Sequence, residues 1–151
     1  MKNSISVAEH VDLLLKSYKK WTGNELIELK GGPEDKAQHI YDAPFALVSH
    51  DTQDDPVFNF ANNKALELFE LRWEDFIKLH SRISAEPMNR EERATLLKRV
   101  TENGYIDDYC GIRISSNGRR FEIKDAVVWN IVDDDGAYKG QAAFFDKWKF
   151  L

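Results

Sequence analysis

The chain opens with a stretch in which apolar residues recur every three or four positions. From Ile5 to Trp21 these residues alternate with His, Asp and Lys side chains, which predicts an amphipathic helix with one apolar stripe. The stripe consists of Ile5, Val7, Val11, Leu14, Leu15, Tyr18 and Trp21. We expect it to pack on the sheet of the same domain. The alternative is that this helix pairs with a second copy of the chain and forms a homodimer.

Residues 25–44 are polar and contain Gly31, Gly32 and Pro33, so we expect a loop or a short helical connector there. The short apolar run from Phe45 to His50 predicts a strand. The turn-forming residues 51–56 that follow predict a hairpin to the next strand.

The segment from Pro56 to Phe76 predicts a strand that leads directly into a helix. Phe58 and Phe60 are two positions apart, as residues on one face of a strand are, and Asn62 stands where a helix needs a side-chain acceptor for its first-turn amides. The apolar residues that follow have helical spacing: Ala65, Leu66, Leu68, Phe69, Trp73 and Phe76. We expect this segment to form the wall of a cup.

The next part of the chain, from Leu79 to Met88, has mixed polarity and predicts irregular chain or one short turn. A helix is then predicted from Asn89, which has Glu92 three positions on in a capping-box arrangement, to Asn103, which Gly104 follows. We expect its apolar face to consist of Ala94, Leu96, Leu97 and Val100.

Three strands are predicted after this helix, at Tyr105 to Ser115, Arg120 to Val132 and Tyr138 to Trp148. An Asn-Gly turn at 116–119 and an Asp-rich turn at 133–136 separate them. On the middle strand we expect one face to carry Phe121, Ile123, Val127, Trp129 and Ile131. The whole order predicts an α+β domain, with a five-stranded antiparallel sheet whose helices cover one face, preceded by the N-terminal amphipathic helix.

Composition narrows the classes of function. A chain of 151 residues has room for one domain, and its net charge of -5 without a Lys/Arg-rich block argues against a nucleic-acid partner. The single Cys110 excludes an intrachain disulfide, and no leader or bilayer-length apolar run is seen. We therefore expect a cytoplasmic protein without membrane contact.

Four local patterns resemble the PAS domain, a sensory module. Phe60 followed by Asn62 and an apolar helix is similar to the PAS strand-to-helix pattern, and Arg113 before Asn117-Gly118 resembles the PAS strand that precedes an Asp-Gly-type turn. Phe121 stands where that family often has Trp. Asp135-Gly136 with Gly140, and a closing Asp146, resemble later PAS positions.

A closer resemblance is to the MEKHLA domain, a PAS-related family found as small bacterial proteins and at the C-terminal end of plant homeodomain-zipper transcription factors. Three segments carry it: FALVSHDTQDDPVFNFANNKALELFE, SRISAEPMNREERATLLKRVTENGYIDDYCGIRISSNGRRF and VWNIVDDDGAYKGQAAFF. The sequence contains no homeodomain, zipper or lipid-binding region, so DNA regulation is not carried over. The resemblance implies a PAS-like (MEKHLA) domain over 45–151 after a helix at 1–24 and a connector at 25–44, acting as a sensor or protein-interaction module that signals through a partner.

A PAS cup binds its ligand between the inner sheet face and the helices. On that resemblance we expect a small-molecule pocket lined by Phe60, Phe76, Cys110, Ile112, Val127, Trp129 and Phe144. The alternative is that these side chains fill the cup as an ordinary close-packed core. For an anionic group on the ligand, the candidate partners are Arg82, Arg90 and Arg113. His80, Arg90 and Arg113 complete the ten residues that we expect to bind a ligand. A competing hypothesis is a small enzyme in the same cup, with His80 or His50 as base and Arg90 or Arg113 holding an anionic substrate.

No cofactor is indicated by the sequence. Asp107, Asp108 and Tyr109 precede Cys110, and negative charges nearby disfavour a reactive thiolate, so we interpret Cys110 as a small core residue. The photoreceptor branch of the PAS family places its adduct cysteine in an Asn-Cys-Arg run, which this sequence does not contain. Flavin and haem are therefore not supported. The four histidines show no metal-ligand spacing, so we expect no metal site.

Overall fold

The computed structural model describes residues 5–85 and 90–151 as one antiparallel sheet between helices. The helices are α1 (Ile5–Thr22), α2 (Pro33–Tyr41), α3 (Asn63–Phe69), α4 (Trp73–Phe76), a 3-10 turn (Ser81–Ser84) and α5 (Arg90–Asn103). The strands are β1 (Ala46–His50), β2 (Phe58–Ala61), β3 (Tyr105–Ile114), β4 (Arg120–Val132), β5 (Tyr138–Phe145) and β6 (Lys147–Phe150). The predicted α+β class and order of elements are confirmed.

The strand order in the sheet is β2-β1-β5-β4-β3, and every pair is antiparallel. The predicted last strand, Tyr138 to Trp148, is divided at Asp146 into β5 and β6. β6 pairs with the beginning of β4, from Phe121 to Lys124, so it continues the line of β5 along the same neighbour. The predicted five-stranded sheet thus has a sixth short segment.

Helix α1 lies on one face of the sheet, which we call the outer face. Val11 and Leu14 are completely buried there, and the Trp129 indole Nε1 donates to the Leu14 carbonyl over 3.2 Å. At the far end of α1, the Trp21 indole donates to the Asn130 carbonyl over 2.8 Å. The apolar stripe of α1 therefore packs on the sheet of its own domain, as expected.

Asn62 caps α3, as predicted, and also joins three other points of the chain. Its side-chain oxygen accepts from the amides of Ala65, at 3.3 Å, and Leu47, at 3.0 Å. Its side-chain nitrogen donates to the carbonyls of Ile40 and Phe45, at 3.0 and 2.8 Å. Because Asn62 is fully buried, these four bonds satisfy groups that water cannot reach.

Helix α5 covers the other face of the sheet, which we call the inner face. The Asn130 side chain donates to the Val100 carbonyl over 2.9 Å, which holds the end of α5 on β4. Leu96 and Val100 are buried as predicted, but Ala94 is exposed and Arg93 is buried in its place. The predicted capping residue Asn89 lies outside the described residues.

Bulges decide which side chains face inwards. In β1 and β2, Ser49 pairs with Phe60 but His50 pairs with Phe58, so Phe58 and Phe60 point to opposite faces. In β4, Asp125 adopts a left-handed conformation with φ of 52°, between Ile123, which pairs with Gly111, and Ala126, which pairs with Tyr109.

The bulge at Asp125 corrects a prediction about β4. Phe121 and Ile123 do not share the predicted face with Val127, Trp129 and Ile131, because the extra residue inverts the alternation. Ala126 and Val128 continue the inner face, whereas Val127 and Trp129 belong to the outer face.

Candidate functional site

A cavity of about 70 Å³ lies between the inner face and the helices. Its apolar wall includes Val128, Ala126, Ile123, Phe145, Leu96 and Phe58. Its polar wall includes His50, Ser81, Ser84, Arg93, Tyr109 and Arg113. The volume is far below the roughly 300–1,000 Å³ of pockets for drug-sized ligands, so this cavity suits a small molecule.

Aromatic side chains fill most of the predicted cup. Phe58 and Phe76 stack with ring centroids 4.2 Å apart, and Phe69 lies 5.8 Å from Phe76. Phe69 also meets Phe121 edge to face, at 5.3 Å. The cup is therefore neither a fully open ligand pocket nor a completely close-packed core, since a packed aromatic core surrounds a small cavity.

Arg93 reaches the cavity from the buried side of α5. Its side chain is 9% exposed, and its Nη2 donates to the Ser81 hydroxyl. Ser81 and Ser84 are buried in the 3-10 turn, where the Ser84 hydroxyl donates to the Ser81 carbonyl over 2.7 Å. Burial, with the positive charge of Arg113 acting in the same direction, lowers the pKa of Arg93 to about 10. Arg93 is still protonated at neutral pH.

Arg113 reaches the cavity from β3. It is as buried as Arg93, its Nη1 donates to the Ile112 carbonyl over 3.0 Å, and its guanidinium lies 5.2 Å from the Tyr109 ring centroid. Tyr109 folds over Gly111, where any Cβ would collide with the Tyr109 hydroxyl. Burial raises the pKa of Tyr109, so the phenol is neutral and able to donate a hydrogen bond.

Neither buried guanidinium has an anionic partner in the described parts of the chain. Within residues 5–85 and 90–151, Arg93 and Arg113 form no ion pair with a carboxylate. Asp55 acts on Arg93 from a distance, but it is already paired with Arg82 and His80, at 3.1 and 3.2 Å. Two like charges are thus buried at one cavity, an arrangement that an anion would stabilise.

His50 is a further polar residue of the cavity wall. It is 7% exposed, and its Nδ1 lies 2.9 Å from the Asp51 carbonyl oxygen. Its Nε2 is buried and has no partner in hydrogen-bond geometry among the residues that the structure describes, although the Gln141 side chain lies close enough to raise the pKa of His50. Burial lowers the pKa of His50, and the nearby charge of Arg93 acts in the same direction. The imidazole is therefore neutral at pH 7.

Of the ten residues predicted to bind a ligand, Arg113 lines the cavity. Five others do not line it, because the bulges invert the faces or because their strand positions point outwards: Cys110, Ile112, Val127, Trp129 and Phe144. Cys110 is exposed, so its interpretation as a core residue is wrong. Trp129 is buried under α1, where its ring meets that of Tyr18.

The remaining four also lie outside the cavity wall. Phe60 is on the outer face, with its ring 6.1 Å from that of His10, and Phe76 lies behind Phe58. His80 is a surface residue paired with Asp55. Arg90 donates to the Ala85 carbonyl over 3.2 Å. Whether any of the ten binds a ligand stays a prediction.

The sequence interpretation missed Arg93 and did not include His50 among the ligand-binding residues. A signal for Arg93 was present, since it stands three and seven positions before Leu96 and Val100, on the buried stripe of α5. A charged residue at such a position is rarely buried without a reason. His50 was considered as a base, but the sequence carries no signal that its Nε2 lacks a partner.

The described residues also bear on membranes and metals. No helix within 5–85 or 90–151 is long and apolar enough to cross a membrane. The same two ranges contain no group of three or more His, Cys, Asp or Glu side chains placed to hold a metal ion.

Known structures resemble this fold. The PAS domain of a protein from Colwellia psychrerythraea superimposes with a TM-score of 0.62 at 15% identity, over 77% of this chain and 93% of that one. The photo-excited blue-light photoreceptor Vivid superimposes with a TM-score of 0.64 at 16% identity, over 95% of this chain and 98% of that one. At these identities the similarity establishes the fold, and the predicted PAS-like architecture is confirmed.

Sequence comparison identifies the family. The homeobox-leucine zipper protein HOX29 of Oryza sativa subsp. japonica is 28% identical over 142 residues, which are 91% of this chain. The chain spans 16% of the length of that curated relative. The MEKHLA domain family matches residues 8–150, nearly the whole sequence. The chain with this PAS-like sheet and arginine-lined cavity belongs to the MEKHLA domain family.

Proposed function

We propose that this domain is a PAS-like sensory or protein-interaction module that binds a small anionic molecule in the inner cavity and signals through a partner protein. Family membership supports a module, since the matching region of HOX29 is one part of a longer protein. The proposal has three further parts. The domain has no catalytic activity, it is located in the cytoplasm, and it forms a homodimer through α1.

The observation that carries the proposal is the pair of buried guanidinium groups at one cavity. Burying a charge without a counterion costs free energy, and burying two like charges together costs more. A carboxylate or similar oxyanion removes this cost, because the planar guanidinium matches its two oxygens. The cavity thus favours a bound anion over an empty state.

The test compares ligand binding with stability in Arg113→Met. Methionine keeps much of the side-chain length but removes the charge. We expect the variant to lose anion binding and, without ligand, to be more stable than the wild type by about 1 kcal/mol or more, because the repulsion between the guanidinium groups is relieved. Isothermal titration against a panel of small carboxylates and inorganic oxyanions measures the binding, and urea unfolding measures the stability.

Arg99→Met is the matched control. Arg99 lies on the exposed side of α5, with its Nη2 3.9 Å from Asp108, so its replacement leaves the cavity unchanged. We expect wild-type binding in this variant. If Arg113→Met lowers stability as much as it lowers binding, Arg113 is structural and the proposal is wrong.

A second candidate function, a small enzyme, is favoured by one observation. The neutral His50 ring lies with Arg93 and Arg113 at one cavity, and an imidazole beside an anion-binding group is the arrangement of a general base and its substrate. His80 does not share that cavity.

His50→Gln distinguishes the two functions once a ligand is known. Glutamine offers a hydrogen-bond acceptor but no base. An enzyme would convert the ligand in the wild type and lose turnover in the variant, whereas a sensor would return the ligand unchanged from both. NMR analysis of the recovered ligand decides between these outcomes.

A further inference from the structure

We propose that the cavity selects a small α-hydroxy acid, with the carboxylate held by Arg93 and Arg113 and the hydroxyl donating to His50 Nε2. This inference rests on the proposed function and specifies its ligand class. It assigns the carboxylate to the two guanidinium groups and the hydroxyl to His50.

The hydrogen bond at Nδ1 determines what His50 can accept or donate. A backbone carbonyl oxygen is only an acceptor, so the contact with Asp51 requires the hydrogen to be on His50 Nδ1. In a neutral ring the other nitrogen, Nε2, then carries a lone pair. Nε2 is buried without a partner in hydrogen-bond geometry among the described residues. The amide nitrogen of the nearby Gln141 already donates to Leu97, Thr101 and Asn130, so Nε2 requires a donor from a ligand or water.

An anion that carries no hydrogen-bond donor leaves His50 Nε2 without a partner. Its oxygens suit the two guanidinium donors but would meet the Nε2 lone pair with another lone pair. Arg93, Arg113 and His50 all line this one small cavity. A hydroxyl on the carbon next to a carboxylate offers a donor close to the charged oxygens.

The apolar wall favours an organic acid over inorganic phosphate. Hydrogen phosphate also combines negative charge with a hydroxyl, but it has no carbon atoms to pack against Val128, Ala126 and Leu96. The volume of about 70 Å³ limits the organic part to a few atoms. A two- or three-carbon hydroxy acid matches both the polar and the apolar walls.

The test needs only the wild-type protein and pairs of acids that differ by one hydroxyl. Lactate is compared with propionate, and glycolate with acetate, by isothermal titration, with inorganic phosphate as a third probe. We expect each hydroxy acid to bind about five- to a hundredfold more tightly than its partner, which is the range that leaving a buried acceptor unpaired costs. Equal affinities within each pair would overturn the role of His50 while leaving anion binding intact.

Two further measurements separate the remaining outcomes. Long-range ¹H–¹⁵N NMR of the free protein should show the Nδ1–H tautomer of His50, and the Nε2–H tautomer would contradict the inference. In His50→Leu the preference for lactate over propionate should fall to about one, while a preference retained in that variant would place the hydroxyl elsewhere.

If phosphate binds more tightly than either hydroxy acid, the proposal of an organic ligand is wrong and the site favours an inorganic anion. If no probe binds, the α-hydroxy acid is excluded. The wider panel with Arg113→Met then decides separately whether the domain binds any anion.

Discussion

The polar side chains that are proposed to bind the ligand are buried at the cavity, so their charges also affect the stability of the fold. His50, Arg93 and Arg113 are each less than a tenth exposed, yet each carries or can acquire a positive charge. Their neighbours in the sequence could not reveal this, because β1, α5 and β3 bring them together from distant parts of the chain. The sequence predicts Arg113 as a ligand-binding residue because it matches a PAS position. Arg93 matches no such position, and only its place on the buried stripe of α5 indicates that it faces the cavity.

The protonation of His50 predicts how stability depends on pH. Burial lowers the pKa of His50 in the folded state, while the unfolded chain has the ordinary value near 6.5. Above pH 6.5 the ring is neutral in both states and has no effect. As the pH falls below 6.5, the unfolded chain binds a proton that the folded state resists, so the free energy of unfolding decreases.

Urea unfolding at pH 7.5 and 5.5 measures this effect. We expect His50→Gln to lose less stability than the wild type between these values, with a difference of up to about 1.4 kcal/mol per pH unit. Part of the dependence of stability on pH should remain in this variant, because burial also lowers the pKa of His10. His39→Gln, at an exposed position, should follow the wild type, and equal slopes for all three proteins would contradict the prediction.

The β-bulges are the elements at which the structure differs from the sequence prediction. Apolar periodicity predicted the type and approximate bounds of α1, α5 and β4, because local side-chain spacing determines these. Alternation then assigned faces along β4 as if the strand were regular. One additional residue at Asp125 inverts every position beyond it, so Trp129 contacts α1 instead of the cavity.

The left-handed conformation of Asp125 predicts opposite effects for two substitutions. Asp125→Val should lower the free energy of unfolding by about 1–2 kcal/mol, since a β-branched residue is strained at positive φ. Asp125→Gly should leave stability unchanged or raise it, because glycine adopts this conformation freely and the lost ion pair with Lys147 is exposed.

Lys124→Val is the control for the Asp125 substitutions, at an exposed neighbour without positive φ. It should cost less than Asp125→Val. If the two valine variants are equally stable in thermal unfolding, the bulge does not depend on the backbone conformation of Asp125.

Across the whole molecule, α1 and α5 enclose the sheet from opposite faces. The sequence predicted α1 and its stripe but left open whether the stripe meets this sheet or a second copy of the chain. Burial of Val11 and Leu14 against the outer face shows that the stripe has a partner within its own domain. A homodimer through this helix stays a prediction and would use the side of α1 that the sheet leaves uncovered.

Leu14→Ala tests how much α1 contributes to the core. We expect a loss of about 2–5 kcal/mol, because a fully buried leucine leaves a cavity against the sheet. Leu15→Ala, at the half-buried neighbouring position, should cost less. Urea unfolding at two protein concentrations, with light scattering, provides the measurement. A midpoint that rises with concentration would show that α1 is stabilised by a second copy.

The sequence by itself determined the kinds and order of the elements, the Asn62 cap and the PAS-like architecture. These depend on interactions between residues close in the chain, or on motifs whose order is preserved. The tertiary structure alone decided which faces the strands present, that the cup is mostly filled, and that Arg93 and His50 meet Arg113 at one cavity. The physical reason is that faces and neighbours follow from strand pairing over long distances, where one bulged residue inverts the pattern.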